Sequence, residues 1–211
     1  MPVIAILNTK GGSGKTTLAT NLAYALKKTS GYDVTLVDSD PQGSARDWHE
    51  AGGKEILPVV GMDRPSLDRE LRSAVKDDDW VIIDGAPQVN ELAAAAIKAA
   101  DVVLIPIQPS PYDIWAAKPV VDAIKARQKQ GQGLPRSAII ISRAIVGTAL
   151  AKDVREALTS YGITIFEAMT HQRVLYAETA ATGQTVVEDS NTKAALEIDA
   201  IRKELEGYIH G

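Results

Sequence analysis

The sequence has no cysteine among its 211 residues, which removes disulfides, thiolate metal sites, iron–sulfur clusters and cysteine nucleophiles together. This is consistent with a reducing compartment. Its three histidines, His49, His171 and His210, follow no metal-ligand spacing, so no histidine metal site is expected. The longest apolar stretches are broken by Lys98 and Asp101, and none approaches the roughly 20 residues needed to cross a bilayer. Met1-Pro2 leads straight into an apolar run, with neither a basic leader nor a small-residue cleavage site, so no secretory signal is expected. An overall excess of positive charge is missing too: 23 basic against 27 acidic side chains give a net charge of −4, which argues against a uniformly basic nucleic-acid binder.

What is present is the composition of an ordinary globular chain, 45% hydrophobic and 24% charged. At roughly 150 residues per domain, one domain spanning residues 1–211 is expected. Short β-rich apolar runs recur at 3–7, 34–37, 81–83, 102–107, 139–141 and 163–166, each too hydrophobic for a half-exposed antiparallel strand. Stretches of helical period separate them, including Leu18, Leu22, Ala25 and Leu26, and later Leu150, Val154, Ala157, Leu158 and Tyr161. The alternation predicts an α/β fold, a doubly wound and mostly parallel sheet with helices on both faces. A last helix is expected over about 191–209, with Ile198, Ile201, Leu205 and Tyr208 on one stripe. Its Glu197, Asp199, Glu204 and Glu206 would repel anionic lipid, so docking on the sheet is the preferred reading.

The chemistry begins after the first apolar run, at Asn8-Thr9-Lys10-Gly11-Gly12-Ser13-Gly14-Lys15-Thr16-Thr17. Glycines let such a loop wrap with its N–H groups inward, and the following helix N-terminus adds partial positive charge; together they suit a β-phosphate. In that arrangement Lys15 reaches the β- and γ-phosphates and the Thr16 hydroxyl ligates Mg²⁺. The usual GxxxxGK[ST] loop has a glycine where this sequence has Thr9, and Lys10 follows. Lys10 stands too far from its own γ-phosphate to duplicate Lys15, which points to a nucleotide held by another subunit.

The KGGSGKTT stretch resembles the deviant Walker A box of the ParA/MinD family, where this lysine crosses a nucleotide-sandwich dimer to the partner's phosphates. Val37-Asp38-Ser39-Asp40-Pro41-Gln42 is similar to the family's DxDPQ switch. The resemblance implies that Asp40 orients the attacking water and that Asp38 supports the metal and the Lys15 region; taken alone, the pair also reads as a strand-end turn. Trp80-Val81-Ile82-Ile83-Asp84 resembles Walker B, with Asp84 holding Mg²⁺ through water, and Gly85-Ala86-Pro87 a second switch. Residues 105–113 look like the proline-rich segment at the dimer face of plasmid-type ParA proteins, or simply a stiff loop. Ser142-Arg143 occupies the base-recognition position, where Arg143 borders adenine. Residues 170–178, which include Arg173, resemble the late loop that closes over the nucleotide.

The resemblance spans residues 3 to about 209 and is of the short plasmid-partition, ParF-like kind, with no N-terminal helix-turn-helix expected. It implies an Mg²⁺-dependent ATPase, hydrolysing ATP to ADP and phosphate, that forms a homodimer with ATP and binds non-specific DNA in that state. A centromere-binding partition protein would stimulate turnover, and the protein would be cytoplasmic and nucleoid-associated, with no membrane role. An alternative is the same switch positioning another cargo, such as a protein assembly, on the nucleoid or a pole. A more remote one is a P-loop small-molecule ligase of the dethiobiotin-synthetase type, which Lys10 and the DxDPQ-like switch disfavour. Residues 118–155 carry eight basic and two acidic side chains, net +6 against −10 for the remainder. Arg136, Lys152 and Arg155 are therefore the candidates for DNA contact, or else solubilising charges on exposed helices.

Overall fold

Among the described residues, seven strands, all parallel, make one sheet in the order β3-β2-β4-β1-β5-β6-β7. The computed structural model describes residues 1–52, 54, 56–75, 80–147 and 150–211, and no side chain of residues 150–152. In chain order the elements are β1 (Val3–Ile6), α1 (Lys15–Ser30), β2 (Val34–Asp38), α2 (Ser44–Ala51), β3 (Val59–Gly61), α3 (Leu67–Ala74), β4 (Trp80–Asp84) and α4 (Glu91–Ala99). There follow β5 (Val102–Ile107), α5 (Pro111–Gln130), β6 (Arg136–Ile141), α6 (Leu150–Leu158), β7 (Thr164–Ile165), α7 (Val174–Ala181) and α8 (Lys193–His210). The expected doubly wound sheet is borne out. The sequence reading missed β3, a three-residue edge strand with half-buried valines, between Pro58 and Gly61, where no apolar run is long enough to signal it.

Strand periodicity explains the two-sided core. On β1, Ile4 and Ile6 face a cluster that includes Leu22 and Leu26 of α1, Trp48 of α2 and Ile198, Ile201 and Leu205 of α8. Val3 and Ala5 face the opposite cluster, with Leu67 and Leu71 of α3, Ala96 of α4, Val120 and Ile124 of α5 and Leu158 of α6. Successive side chains point to opposite faces, so a strand covered on both sides is apolar throughout. The last helix begins at Lys193, two residues later than expected, because the Thr192 hydroxyl accepts from Ala195 N and caps it there.

Parallel pairing also decides where functional side chains meet. The carboxyl ends of β2, β4 and β1 lie side by side, with Asp38 opposite Asp84 and Asp84 opposite Ile6. The segments leaving β1 and β2 and the end of β4 therefore share one edge of the sheet, where ligands bind in open α/β folds.

Phe166, the only phenylalanine, follows β7 and is buried, edge-on to Tyr208 of α8 at 5.5 Å. Phe166→Ala is expected to lower unfolding free energy by about 3–5 kcal/mol. Urea denaturation checks it, and a loss below about 1 kcal/mol would contradict this packing role.

Candidate functional site

Loop 8–14 leaves the middle of the sheet and is tied by side-chain hydrogen bonds, given and received, to the end of β5, to the segments after β5 and β6 and to α5. Asn8 Nδ2 donates to the Pro106 carbonyl at 2.6 Å, and the Thr9 hydroxyl donates to that of Ala116. Gln108 Nε2 and Arg143 Nη1 both donate to the Gly12 carbonyl, at 2.8 and 3.0 Å, and Ser142 Oγ donates to that of Ser13 at 2.8 Å. The loop's carbonyls are thus engaged from outside. The N–H groups of Gly11, Gly12, Ser13 and Gly14 have no partner among the described residues, and α1 starts without a side-chain cap or an acidic residue in its first turn. Unsatisfied donors at a helix N-terminus make an anion site. Gly14 is required twice over: its φ is +93°, and a Cβ there would lie 2.9 Å from Ser142 Oγ.

Beside this loop lies a cavity of about 620 Å³, lined by Gly11, Gly12, Gly14, Lys15, Thr16 and Thr17, by Asp40 of the β2–α2 turn, and by Arg143, Arg173 and Tyr176. Lys15 is buried, with Nζ 3.4 Å from the Lys10 carbonyl. Burial lowers its pKa, opposed by the charges of Asp84 and Asp40. Asp84 lies at the end of β4 with neither carboxylate oxygen in a hydrogen bond. Burial pushes its pKa up to about 7, although the Thr16 hydroxyl stands near enough to favour the carboxylate. Such an orphan next to a lysine and a threonine has the donor chemistry of a divalent-cation site completed by phosphate oxygens. Among the described residues no group of three or more acidic or histidine side chains holds a metal unaided.

Of the expected nucleotide and metal residues, Lys10, Ser13, Asp38 and Asp84 do not line the cavity. Lys10 is exposed, and its ammonium makes no ion pair or hydrogen bond with the described residues. Asp38 is fully buried, and its carboxylate is taken up by the Asp40 turn and Arg46. One oxygen accepts from Asp40 N at 3.0 Å; the other accepts from Arg46 N at 3.0 Å and Arg46 Nε at 3.4 Å. Arg46 also reaches the Asp40 carbonyl and Asp63. Asp38 therefore shapes the Asp40 turn through Arg46, a residue that sequence reasoning missed because an arginine in the first turn of a helix carries no signal.

The fold and the loop point to one family, and comparison with known proteins agrees. Residues 4–186 match the CobQ/CobB/MinD/ParA nucleotide binding domain. The chain belongs to this family. It is 29% identical over 208 residues to the maintenance of carboxysome distribution protein A of Halothiobacillus neapolitanus, covering 96% of this chain and 95% of that protein. It is 30% identical over 224 residues to the chromosome-partitioning ATPase Soj of Thermus thermophilus, covering 90% and 88%. Among solved structures, apo McdA of Cyanothece superimposes with a TM-score of 0.82 at 17% identity, covering 97% of this chain and 99% of that one. Cobyrinic acid a,c-diamide synthase of Mycobacterium smegmatis, solved with ADP and magnesium, gives 0.79 at 19% identity, covering 100% and 96%. At these identities the structures speak for the fold alone.

The far end of the cavity is built by residues 170–177. Arg143, at φ +56°, donates through Nε to Gln172 Oε1 at 2.9 Å and through N to Thr170 Oγ1 at 3.1 Å. Arg173 lines the wall, but its guanidinium is held by Glu197 of α8 at 2.5 and 2.9 Å. Burial pushes the Glu197 carboxyl up, and hydrogen bonds from Arg173 and His171 more than reverse this, leaving it below the usual range. The acidic face of α8 is accordingly not a solvated one: Glu204 accepts from Glu167 N and Ala168 N, and Asp199 and Glu206 pair with the buried Arg202.

The DNA candidates fare unevenly. Arg155 donates to the Ile165 and Phe166 carbonyls and pairs with Glu167. Arg136 stacks over the Tyr208 ring at 4.1 Å. The side chain of Lys152 lies outside the described residues.

Asp84 makes stability depend on pH. Its folded pKa, about 7, exceeds the ordinary 3.8, so the nucleotide-free protein loses stability as pH rises from about 4 through about 7 and is level above. Asp84→Asn removes that loss. In a chelator, the variant is expected to melt several degrees above wild type at pH 8, with the gap closing toward pH 4. A gap independent of pH in differential scanning fluorimetry would contradict the buried, unpartnered carboxylate.

Proposed function

We propose that the protein is an Mg²⁺-dependent switch ATPase that binds ATP in the cavity, dimerises across the face carrying Lys10, and in that state binds DNA without sequence preference to position a cargo. The observation that carries this reading is Lys10. Its ammonium is exposed and unpaired among the described residues, while Lys15 already serves the inside of the loop. A second lysine with no phosphate of its own finds one in a partner's site.

Within the site, the N–H groups of loop 11–14 and Lys15 would hold the phosphates, and Thr16 and Asp84 would hold Mg²⁺. Bound Mg²⁺ supplies charge neutralisation at the phosphoryl oxygens. Asp40 positions the attacking water, its turn held by Arg46 and Asp38. Arg143 borders the base, in reach of it through the Gly12 and Gln172 hydrogen bonds that fix its side chain.

Positioning of a protein assembly is favoured over plasmid partition as the cargo role. Likeness to the carboxysome distribution protein runs through 96% of the chain, and no feature of the described residues selects a centromere-binding partner. Partition of DNA remains the second reading, supported by the Soj likeness. With Arg155 engaged and Arg136 stacked, the DNA surface rests on other lysines and arginines, doubled by dimerisation.

Lys15→Ala is expected to weaken ATP binding on the order of a hundredfold, the scale of one lost charge-assisted hydrogen bond. Lys10→Ala should bind ADP within about twofold of wild type yet fail to be retained on random-sequence DNA with ATP. Asp40→Ala should be retained longer than wild type, because hydrolysis is lost and phosphate binding is not. Calorimetry with ATP and ADP reads the nucleotide affinities, and surface-immobilised duplex across a salt series reads the DNA retention. DNA retention of Lys10→Ala equal to wild type would overturn the cross-dimer role. ATP turnover that requires an added small-molecule acid would favour the ligase reading.

A further inference from the structure

Glu197 lines no part of the cavity, yet five donors from the segment that does so converge on its carboxylate. Oε1 takes His171 Nδ1 at 2.7 Å and Arg173 Nε and Nη2 at 2.9 and 2.5 Å; Oε2 takes His171 N at 3.1 Å and the Tyr176 hydroxyl at 3.2 Å. The side chain is 11% exposed, so these bonds meet little competition from water. Burial and the neighbouring Glu197 charge push the Tyr176 phenol far up, so the hydroxyl stays protonated and donates.

The hold extends beyond the segment. His171 pairs with Ala144 in an isolated parallel bridge, closed by Ala144 N to the Thr170 carbonyl and Gln172 N to that of Ala144. Gln172 in turn accepts from Arg143, whose other arm reaches the Gly12 carbonyl. A path of hydrogen bonds along the backbone of residues 171–172 thus links α8 to loop 8–14 at the cavity wall.

We propose that Glu197 is the positioning residue for the nucleoside end of the site: it fixes segment 170–177, and through Gln172 it fixes Arg143. The inference rests on the reading of the cavity as an ATP site. Glu204 supplies an internal control, since two turns along the same helix it accepts from Glu167 N and Ala168 N, which are not in the cavity wall. Both carboxylates fasten the chain after β7 to α8; only Glu197 fastens the part that faces the ligand.

The test compares wild type, Glu197→Ala, Glu197→Gln and Glu204→Ala in basal ATP hydrolysis and in ADP binding by calorimetry. Glutamine keeps the size and an acceptor oxygen, so that variant guards against loss of folding. Glu197→Ala is expected to raise KM for ATP and Kd for ADP about tenfold with kcat unchanged, the pattern of lost uniform binding. Glu197→Gln should give a smaller rise, about threefold, and Glu204→Ala should leave KM and Kd at wild-type values while lowering the melting temperature. The proposal is overturned if the Glu197 variants keep wild-type KM and Kd, if they lose kcat alone, or if Glu204→Ala raises KM equally. Wild-type protein that binds neither ATP nor ADP would overturn the cavity reading itself, and this inference with it.

Discussion

A carboxylate buried without a hydrogen bond is the constraint around which the site is organised. Asp84 lies at the end of a central strand, 1% exposed, with both oxygens unpartnered, and removing an ionised group from water costs several kcal/mol unless something compensates. The fold supplies partial compensation from Lys15 and Thr16, both at the start of α1. That helix starts where it does because Gly14 adopts a left-handed conformation and Ser142 anchors Ser13. On the proposed reading the remainder of the compensation comes from a cation and phosphates, and ligand binding would stabilise the fold.

Sheet topology brings further groups to the same place. Because β2 and β4 pair with Asp38 opposite Asp84, the turn carrying Asp40, which lines the cavity, follows the strand beside Asp84. Arg46 fastens that turn through Asp38, Asp63 and the Asp40 carbonyl. The opposite end is fastened to α8 through Glu197. On the proposed reading, phosphate, water and base are addressed by three separately anchored segments, and Lys10, exposed and without a partner among the described residues, serves a second molecule.

Much of this was legible in the residues. Apolar runs on both faces gave parallel strands, and loop 8–17 between a strand and a helix announced a phosphate site before any coordinates. Boundaries shifted where side-chain chemistry decides them, as at Thr192, and β6 extends back to Arg136 because parallel pairing with β5 continues past the last apolar residue. What escaped was long-range and polar. Asp38 meets Arg46 only because the chain turns back at Gly43, and Glu197 meets His171 and Arg173 across 24 or more residues, so neither pairing has a periodic signature.

The central claim is that ATP, and not ADP, joins two copies of the chain. Sedimentation velocity of the wild-type protein with Mg²⁺ and ATP, Mg²⁺ and ADP, or no nucleotide tests it most directly, at one protein concentration and before turnover exhausts the ATP. The account predicts a dimer in the first condition and a monomer in the other two. A single species of the same size in all three would contradict it.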